Sequence, residues 1–149
     1  MTDTPFLDAA SARGREFLGT RHAIMAGAMT WVSERHLVAA ISNAGGFGVL
    51  ACGGMPPALL EAEIIATRAL TDKPFGVNLI TLHPQLDELI AVCAQTAVSH
   101  VVLAGGLPSG PAIAAIKAFG AKLMCFAPTA ALAKKQVRSG VDAIVIEGS

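Results

Sequence analysis

Charge is scarce in this sequence, and no apolar run is long enough to cross a membrane. Charged residues make up 15% of the chain, against about 25% in an average globular domain. The 11 basic and 11 acidic residues cancel, so nothing attracts the chain to nucleic acid or to an anionic membrane surface. Hydrophobic residues make up 53%, but none of their runs reaches the roughly 18 uncharged residues that a spanning helix needs. We therefore expect neither nucleic acid nor a membrane as a partner.

The N-terminus and the cysteines lack the features of a secreted protein. The opening segment MTDTPFLDAASARGREF contains Asp3 and Asp8 and has no apolar core, so it does not resemble a signal peptide. Cys52, Cys93 and Cys125 are odd in number and have no CxxC spacing, which argues against disulfides and against a zinc site. We expect a protein of the reducing cytoplasm that holds no metal.

Short apolar runs alternate with segments of helical periodicity, after an N-terminal extension or helix over residues 1–20. Pro56, Pro84 and Pro111 stand near the starts of predicted helices, and Gly120 and Gly140 follow helix ends, as is typical of both residue types. Runs that are apolar throughout indicate strands buried on both faces, and hence a parallel sheet covered by helices. The six predicted strands lie within residues 23–26, 46–52, 74–80, 100–106, 122–129 and 142–146.

Two folds accommodate six strands and five intervening helices: an open doubly wound sheet and a (β/α)8 barrel. A doubly wound nucleotide-binding sheet should have a glycine-rich turn between its first strand and the next helix. The glycines of residues 45–48 precede a strand instead, and Pro111 stands where a P-loop has lysine. A TIM barrel has eight strands and about 250 residues. We therefore predict one domain over residues 1–149, an incomplete TIM (β/α)8 barrel that stops before strands seven and eight.

In a TIM barrel the site lies at the C-terminal ends of the strands, and these ends are rich in small residues here. Small residues would suit a large flat ligand, although tight turns also favour glycine. Asn78 interrupts an apolar strand and offers both a donor and an acceptor, which would match the imide edge of a flavin; alternatively, it bonds its own backbone turn. His83 follows the same strand, either as a substrate contact or as a loop or helix-start residue. His100 begins its strand at the opposite end of the barrel.

Three segments resemble a known family: IMAGAMTWVSERHLVAAISNAGGFGVL, TDKPFGVNL and ALAKKQVRSGVDAIVIEGS. Over about residues 21–149 the chain is similar to the nitronate monooxygenase family, formerly the 2-nitropropane dioxygenases, and to the related FMN-dependent enoyl-acyl-carrier-protein reductase. The resemblance implies a TIM barrel with FMN at its C-terminal mouth. It also implies that Ala26, Gly27, Ala28 and Met29 lie along the flavin ring, that Asn78 bonds its polar edge, and that Glu147 and Gly148 begin the loop closing the site.

The activity implied by the resemblance is oxidation of an alkyl nitronate with O2, giving a carbonyl compound and nitrite. The alternative is NAD(P)H-dependent reduction of an enoyl thioester, which MTWVSERHL and NLITLHP favour. A non-catalytic barrel fragment or binding remnant remains a third reading. The family's catalytic His lies in a segment resembling EAGGH, expected beyond Ser149, so no catalytic residue is assigned in this chain. The open edges of an incomplete barrel predict self-association.

Overall fold

The computed structural model describes residues 4–147, which form six helices and five strands. The helices are α1 (Pro5–Leu18), α2 (Arg35–Asn43), α3 (Pro57–Leu70), α4 (Leu86–Gln95), α5 (Gly110–Ala118) and α6 (Ala130–Arg138). The strands are β1 (Gly48–Ala51), β2 (Phe75–Ile80), β3 (His100–Ala104), β4 (Lys122–Phe126) and β5 (Ala143–Val145). Within these residues, no helix is both long enough and apolar enough to cross a membrane.

Side-chain caps determine where three of the helices begin. The Glu34 carboxylate accepts the backbone N–H of His36 at 3.1 Å, and this bond is the main cause that lowers the pKa of Glu34. Ser109 and Thr129 each accept the N–H of the third residue beyond them, at 3.2 and 3.3 Å, at the starts of α5 and α6. These bonds satisfy donors that the first turn of an α-helix otherwise leaves unpaired.

The five strands form one parallel sheet in the order β1-β2-β3-β4-β5. Each strand therefore lies beside the next strand along the chain, with a helix on the way: Leu50 pairs with Val77, and Cys125 pairs with Ile144. A doubly wound sheet reverses its strand order at a switch point, and no reversal occurs in residues 4–147. Strands added one after another in the same direction are the arrangement of a barrel wall.

The prediction of a strand over residues 23–26 is wrong. Only Met25 pairs, with Phe47, in a single parallel bridge. The backbone bonds around it join Ala26 N–H to the Phe47 carbonyl at 3.0 Å and Phe47 N–H to the Ile24 carbonyl at 2.9 Å. Ala23 and Ile24 are exposed, the latter to 66%, so this segment is not buried on both faces as the centres of β1 to β4 are. Pairing stops after one residue, and the described sheet has five strands where six were predicted.

Two apolar clusters lie on the two faces of the sheet. Val77 and Leu79 of β2 belong to the larger cluster, which the helices cover. Val49, Val102 and Met124 belong to the smaller cluster on the other face, together with residues of α1. Asn78 lies between Val77 and Leu79, and because side chains alternate along a strand, it faces the inner side.

Helix α1 closes the N-terminal end of the sheet's inner side. Its Phe17 carbonyl accepts a hydrogen bond from His100 Nε2 at 2.8 Å and another from Lys122 Nζ. The Lys122 ammonium also lies 4.9 Å from the centroid of the Phe17 ring. A cation and a ring N–H thus satisfy the last carbonyls of the helix, where they are most favourable. The opposite, C-terminal end carries no such cover among the described residues.

Candidate functional site

The residues that follow the Met25 bridge and the five strands lie along one edge of the sheet, which we call the mouth. In a TIM barrel this edge holds the active site. The structure places the described candidate residues here: Ala26, Gly27, Ala28 and Met29 after the bridge, Asn78 within β2, His83 after β2 and Glu147 after β5. Gly148 lies outside the described residues. Their contacts with a ligand stay a prediction.

Residues 26–29 form an open stretch of backbone at the mouth. Ala28 packs against the inner apolar cluster, whereas Gly27 is exposed and Met29 is 52% exposed. A Cβ added to Gly27 would meet no atom within 4 Å. The Ala26 N–H donates to the Phe47 carbonyl and the Met29 N–H donates to the Ser33 hydroxyl. Within residues 4–147 the N–H groups of Gly27 and Ala28 have no protein acceptor. The stretch therefore offers both free surface and free donors.

Ser33 holds this stretch in place. Its side chain is almost fully buried, at 4% exposed, and its hydroxyl accepts the Met29 N–H at 3.0 Å and donates to the Gly27 carbonyl at 3.4 Å. Its own backbone joins the Met29 carbonyl at 2.8 Å and the Ala51 N–H at 3.0 Å. Ser33 thereby ties residues 27–29 to the end of β1. The sequence pattern did not predict this role, although a serine four residues after Met29 is typical of a local side-chain bond.

Asn78 is buried on the inner side of the sheet, at 8% exposed. Its Nδ2 donates to the Val102 carbonyl of β3 at 3.2 Å. The partner thus belongs to the neighbouring strand, 24 residues away, and the alternative of a bond to its own turn is wrong. This is the one side-chain hydrogen bond recorded for Asn78 within the described chain, so the amide retains acceptor capacity at Oδ1.

His83 takes part in the turn that leads from β2 into α4. Its Nδ1 accepts the backbone N–H of Gln85 at 3.1 Å, and its own N–H donates to the Ile80 carbonyl at 2.9 Å. With Nδ1 acting as an acceptor, the proton of the neutral ring is on Nε2. The structure therefore gives His83 the helix-start role that the sequence left open, while substrate contact stays a prediction.

A cleft of about 510 Å³ opens at the mouth beside Glu147, between the ends of β3, β4 and β5. It is lined by Ala104, Gly105, Gly106, Leu107, Phe126, Ala127, Pro128, Leu132, Val145 and Glu147. Leu107, Phe126 and Leu132 were not recognised from the sequence, because they come from three separate segments that only the sheet order brings together. A local signal did exist in the paired glycines before Leu107, whose φ values of 81° and 151° few other residues adopt.

The remaining reactive side chains lie away from the mouth or are shielded. Burial raises the pKa of Cys52 and Cys125 to about 11 and that of Cys93 to about 12, so none is a thiolate nucleophile near neutral pH. Burial also lowers the pKa of His100, which lies at the N-terminal end of the sheet, as its sequence position predicts. No group of three or more His, Cys, Asp or Glu side chains in the described part of the chain is arranged to hold a metal.

Comparison with known proteins shows that this chain is similar to one family over most of its length. The family model described as nitronate monooxygenase matches residues 12–149. A dehydrogenase of Rhodococcus jostii that acts on 5-hydroxy-7a-methyl-1-oxo-octahydro-1H-indene-4-carboxyl-CoA is 35% identical over 133 residues, which are 89% of this chain and 37% of that protein. A nitronate monooxygenase of Paraburkholderia phytofirmans is 31% identical, over 88% of this chain and 46% of that one.

The solved structure of FabK from Thermotoga maritima superposes with a TM-score of 0.88 at 38% identity, covering 91% of this chain and 43% of that one. The predicted family resemblance is confirmed, and so is the TIM-barrel fold class, of which the five described strands form part of the wall. The chain spans less than half the length of these three proteins.

Proposed function

Because the chain belongs to the nitronate monooxygenase family, we propose that it supplies the flavin-facing mouth of an FMN-dependent oxidoreductase. The family match over residues 12–149 is the observation that carries this proposal. The arrangement of the mouth supports it, since a flat ring needs an unobstructed surface on one side and a polar partner at its edge. Exposed Gly27 can offer the unobstructed surface, and Asn78 can offer the polar partner at the edge of the ring.

The residues present fit a flavin ring. Within residues 4–147, no atom lies within 4 Å of a Cβ added at Gly27, which leaves room for close approach. The N–H groups of Gly27 and Ala28, which have no acceptor in that part of the chain, can donate to ring heteroatoms. Oδ1 of Asn78 can accept from the ring's imide N–H. Since Ser33 ties residues 27–29 to β1, this surface is held in place before a ligand arrives, which reduces the ordering cost of binding.

We propose nitronate oxidation as the reaction. FMN, when bound, would supply the redox chemistry by which an alkyl nitronate and O2, the source of the new carbonyl oxygen, give a carbonyl compound and nitrite. The chain's own residues position the ring and exclude water from one of its faces, and Glu147 begins a loop over the site. We assign no catalytic residue among residues 4–147, since Nδ1 of His83 is engaged and His100 lies at the other end of the sheet.

NAD(P)H-dependent reduction of an enoyl thioester is a second candidate, favoured by a specific observation. The Rhodococcus jostii relative is named for a CoA thioester and is 35% identical to this chain, compared with 31% for the Paraburkholderia phytofirmans nitronate monooxygenase. In this reading the enoyl double bond of the thioester is reduced with NAD(P)H as the electron donor, chemistry that FMN would supply when bound, while residues 26–29 and Asn78 keep the same roles. The two candidates differ in the electron donor and therefore separate in one assay.

The test mixes the FMN-loaded holoenzyme that contains residues 1–149 anaerobically with NADH, with a nitronate, or with neither, and follows the flavin absorbance. An enoyl thioester is then added to the sample that received NADH. Nitronate oxidation predicts bleaching by the nitronate alone, followed by nitrite release when O2 is admitted. Rapid bleaching by NADH, with consumption of an enoyl thioester, would replace nitronate oxidation with reduction of the enoyl double bond as the proposed reaction. Failure of both donors would contradict both candidates and favour a binding role.

We also propose that the polypeptide of residues 1–149 by itself shows neither turnover nor tight FMN binding. Phosphate binding usually needs convergent N–H groups at a helix N-terminus or in an anion-binding nest. Among the described residues of the mouth, Gly105 and Gly106 are the only candidates, and nothing there matches a complete phosphate cradle. Without such contacts the affinity rests on the ring alone. A yellow stoichiometric complex that survives desalting, or nitrite release from a nitronate, would overturn this expectation.

A further inference from the structure

His100 lies at the end of the sheet opposite the mouth, where it joins β3 to helix α1. Its side chain is almost fully buried, at 4% exposed. The imidazole packs edge-on against two aromatic rings, with its centroid 4.7 Å from that of Phe47 and 5.5 Å from that of Phe17. Because Phe17 belongs to the last turn of α1, the imidazole is enclosed between this helix and the sheet.

The hydrogen bonds of the imidazole are those of a neutral ring with its proton on Nε2. The Phe17 carbonyl can only accept, so Nε2 donates to it, at 2.8 Å. In the neutral ring Nδ1 then accepts the hydroxyl of Ser99, at 2.9 Å. A second proton would occupy Nδ1, and the Ser99 hydroxyl could no longer donate to that nitrogen.

A positive charge on His100 would lie beside the positive charge of Lys122. The Lys122 ammonium donates to the same Phe17 carbonyl as His100 does, so the two nitrogen atoms converge on one oxygen. The Asp142 carboxylate would favour the charged ring, but it already accepts the Lys117 ammonium at 2.6 Å and the backbone N–H of Leu123 at 2.6 Å. Its negative charge is therefore largely used by other partners.

Helix α1 adds one charge of each sign at this end of the sheet. Arg13 and Glu16 line the same hollow as Phe17 and Lys122, and their opposite charges offset each other. Burial is the main cause that lowers the pKa of His100 from its usual 6.5, and Lys122 lowers it further, against the bond to Phe17 and the charge of Asp142. The contacts and the surrounding charges therefore both favour the neutral ring while α1 is docked.

We propose that His100 acts as an acid-sensitive switch for helix α1: protonation of its ring releases the helix and opens the N-terminal end of the sheet's inner side. When α1 leaves, the ring becomes solvated and regains its usual pKa, so the released state takes up a proton more readily than the docked state. Docking is therefore strongest above pH 6.5 and weakens as the pH falls below that value.

Release of α1 would expose Leu18 and Phe47 of the inner apolar cluster to water. This cluster lies at the opposite end of the sheet from the residues that follow the strands. The proposal does not depend on either candidate reaction, since neither His100 nor Phe17 lies at the mouth.

The test follows hydrogen–deuterium exchange of the α1 backbone amides at pH 7.5, 6.5 and 5.5, corrected for the intrinsic pH dependence of exchange, in the holoenzyme that contains residues 1–149. Release of α1 should become about three- to tenfold more frequent between pH 7.5 and pH 5.5. His100→Gln keeps an amide that can donate to the Phe17 carbonyl but does not titrate, so it should abolish this increase. His36→Gln is the matched control, because His36 is an exposed histidine of α2, and it should behave as the wild type does.

An increase that only His100→Gln abolishes supports the switch. An α1 whose exchange does not change between pH 7.5 and pH 5.5, or changes equally in His100→Gln, would overturn it. If His100→Gln does not fold, NMR titration of the wild-type protein with isotope-labelled histidine decides the question. A His100 ring that carries its proton on Nε2 at pH 7.5 and titrates below pH 6.5 supports the proposal, whereas a midpoint at or above pH 6.5 contradicts it.

Discussion

In the holoenzyme that contains residues 1–149, Asn78→Leu is the sharpest test of the proposed flavin edge, because leucine has nearly the size of asparagine but no hydrogen-bonding group. Two costs are expected. Without ligand, the Val102 carbonyl loses the Nδ2 donor at 3.2 Å, which should lower the free energy of unfolding by about 0.5–1.5 kcal/mol. With FMN bound, the polar edge of the ring is left unpaired, which should cost about 1–3 kcal/mol and weaken FMN binding roughly ten- to a hundredfold.

Asn43→Leu is the matched control for this variant. Asn43 ends α2, away from the mouth, and its Nδ2 also donates to a backbone carbonyl, that of Leu70, at 3.1 Å. Both variants should therefore lose stability, whereas only Asn78→Leu should lose FMN affinity. Urea unfolding measures the first quantity, and quenching of FMN fluorescence at equal folded fraction measures the second. If Asn78→Leu keeps wild-type FMN affinity, Asn78 serves only its bond to β3.

Three further predictions follow from the described contacts. Ser33→Ala removes two hydrogen bonds from residues 27–29. It should weaken FMN binding several-fold and lower the free energy of unfolding by about 1 kcal/mol. Exposed Ser139→Ala should leave FMN affinity unchanged, and equal effects of the two variants would refute the positioning role. Burial raises the thiol pKa values of Cys52 and Cys125 to about 11 and of Cys93 to about 12. Above pH 9 the unfolded chain therefore binds fewer protons than the folded chain. The free energy of unfolding should therefore fall as pH rises through 9, by about 1.4 kcal/mol per cysteine at pH 10, and equal urea midpoints at pH 8 and 10 would contradict this. Because β5 pairs only with β4 among the described strands, residues 1–149 should self-associate through that edge, and a concentration-independent monomer in sedimentation velocity would argue against it.

The sequence by itself determined the local elements and the family. Apolar runs bounded by Pro and Gly were sufficient to predict β1 to β5 and the helices between them. An apolar strand and a helix boundary each depend on residues that are adjacent in the sequence. The same local information located Asn78 as a polar residue in an apolar strand. It failed at residues 23–26, where the run is apolar but Ile24 faces solvent, since exposure depends on what the rest of the chain places beside it.

The tertiary structure decided everything that joins distant residues. The order of the strands excluded a doubly wound sheet, which counting strands could not do, because order depends on which edges pair. It also supplied Val102 as the partner of Asn78 and assembled the cleft from Leu107, Phe126 and Leu132. Each of these contacts joins residues that lie in different strands or after them. Their proximity arises only when the parallel strands align side by side. A pattern read within one segment carries no record of that alignment.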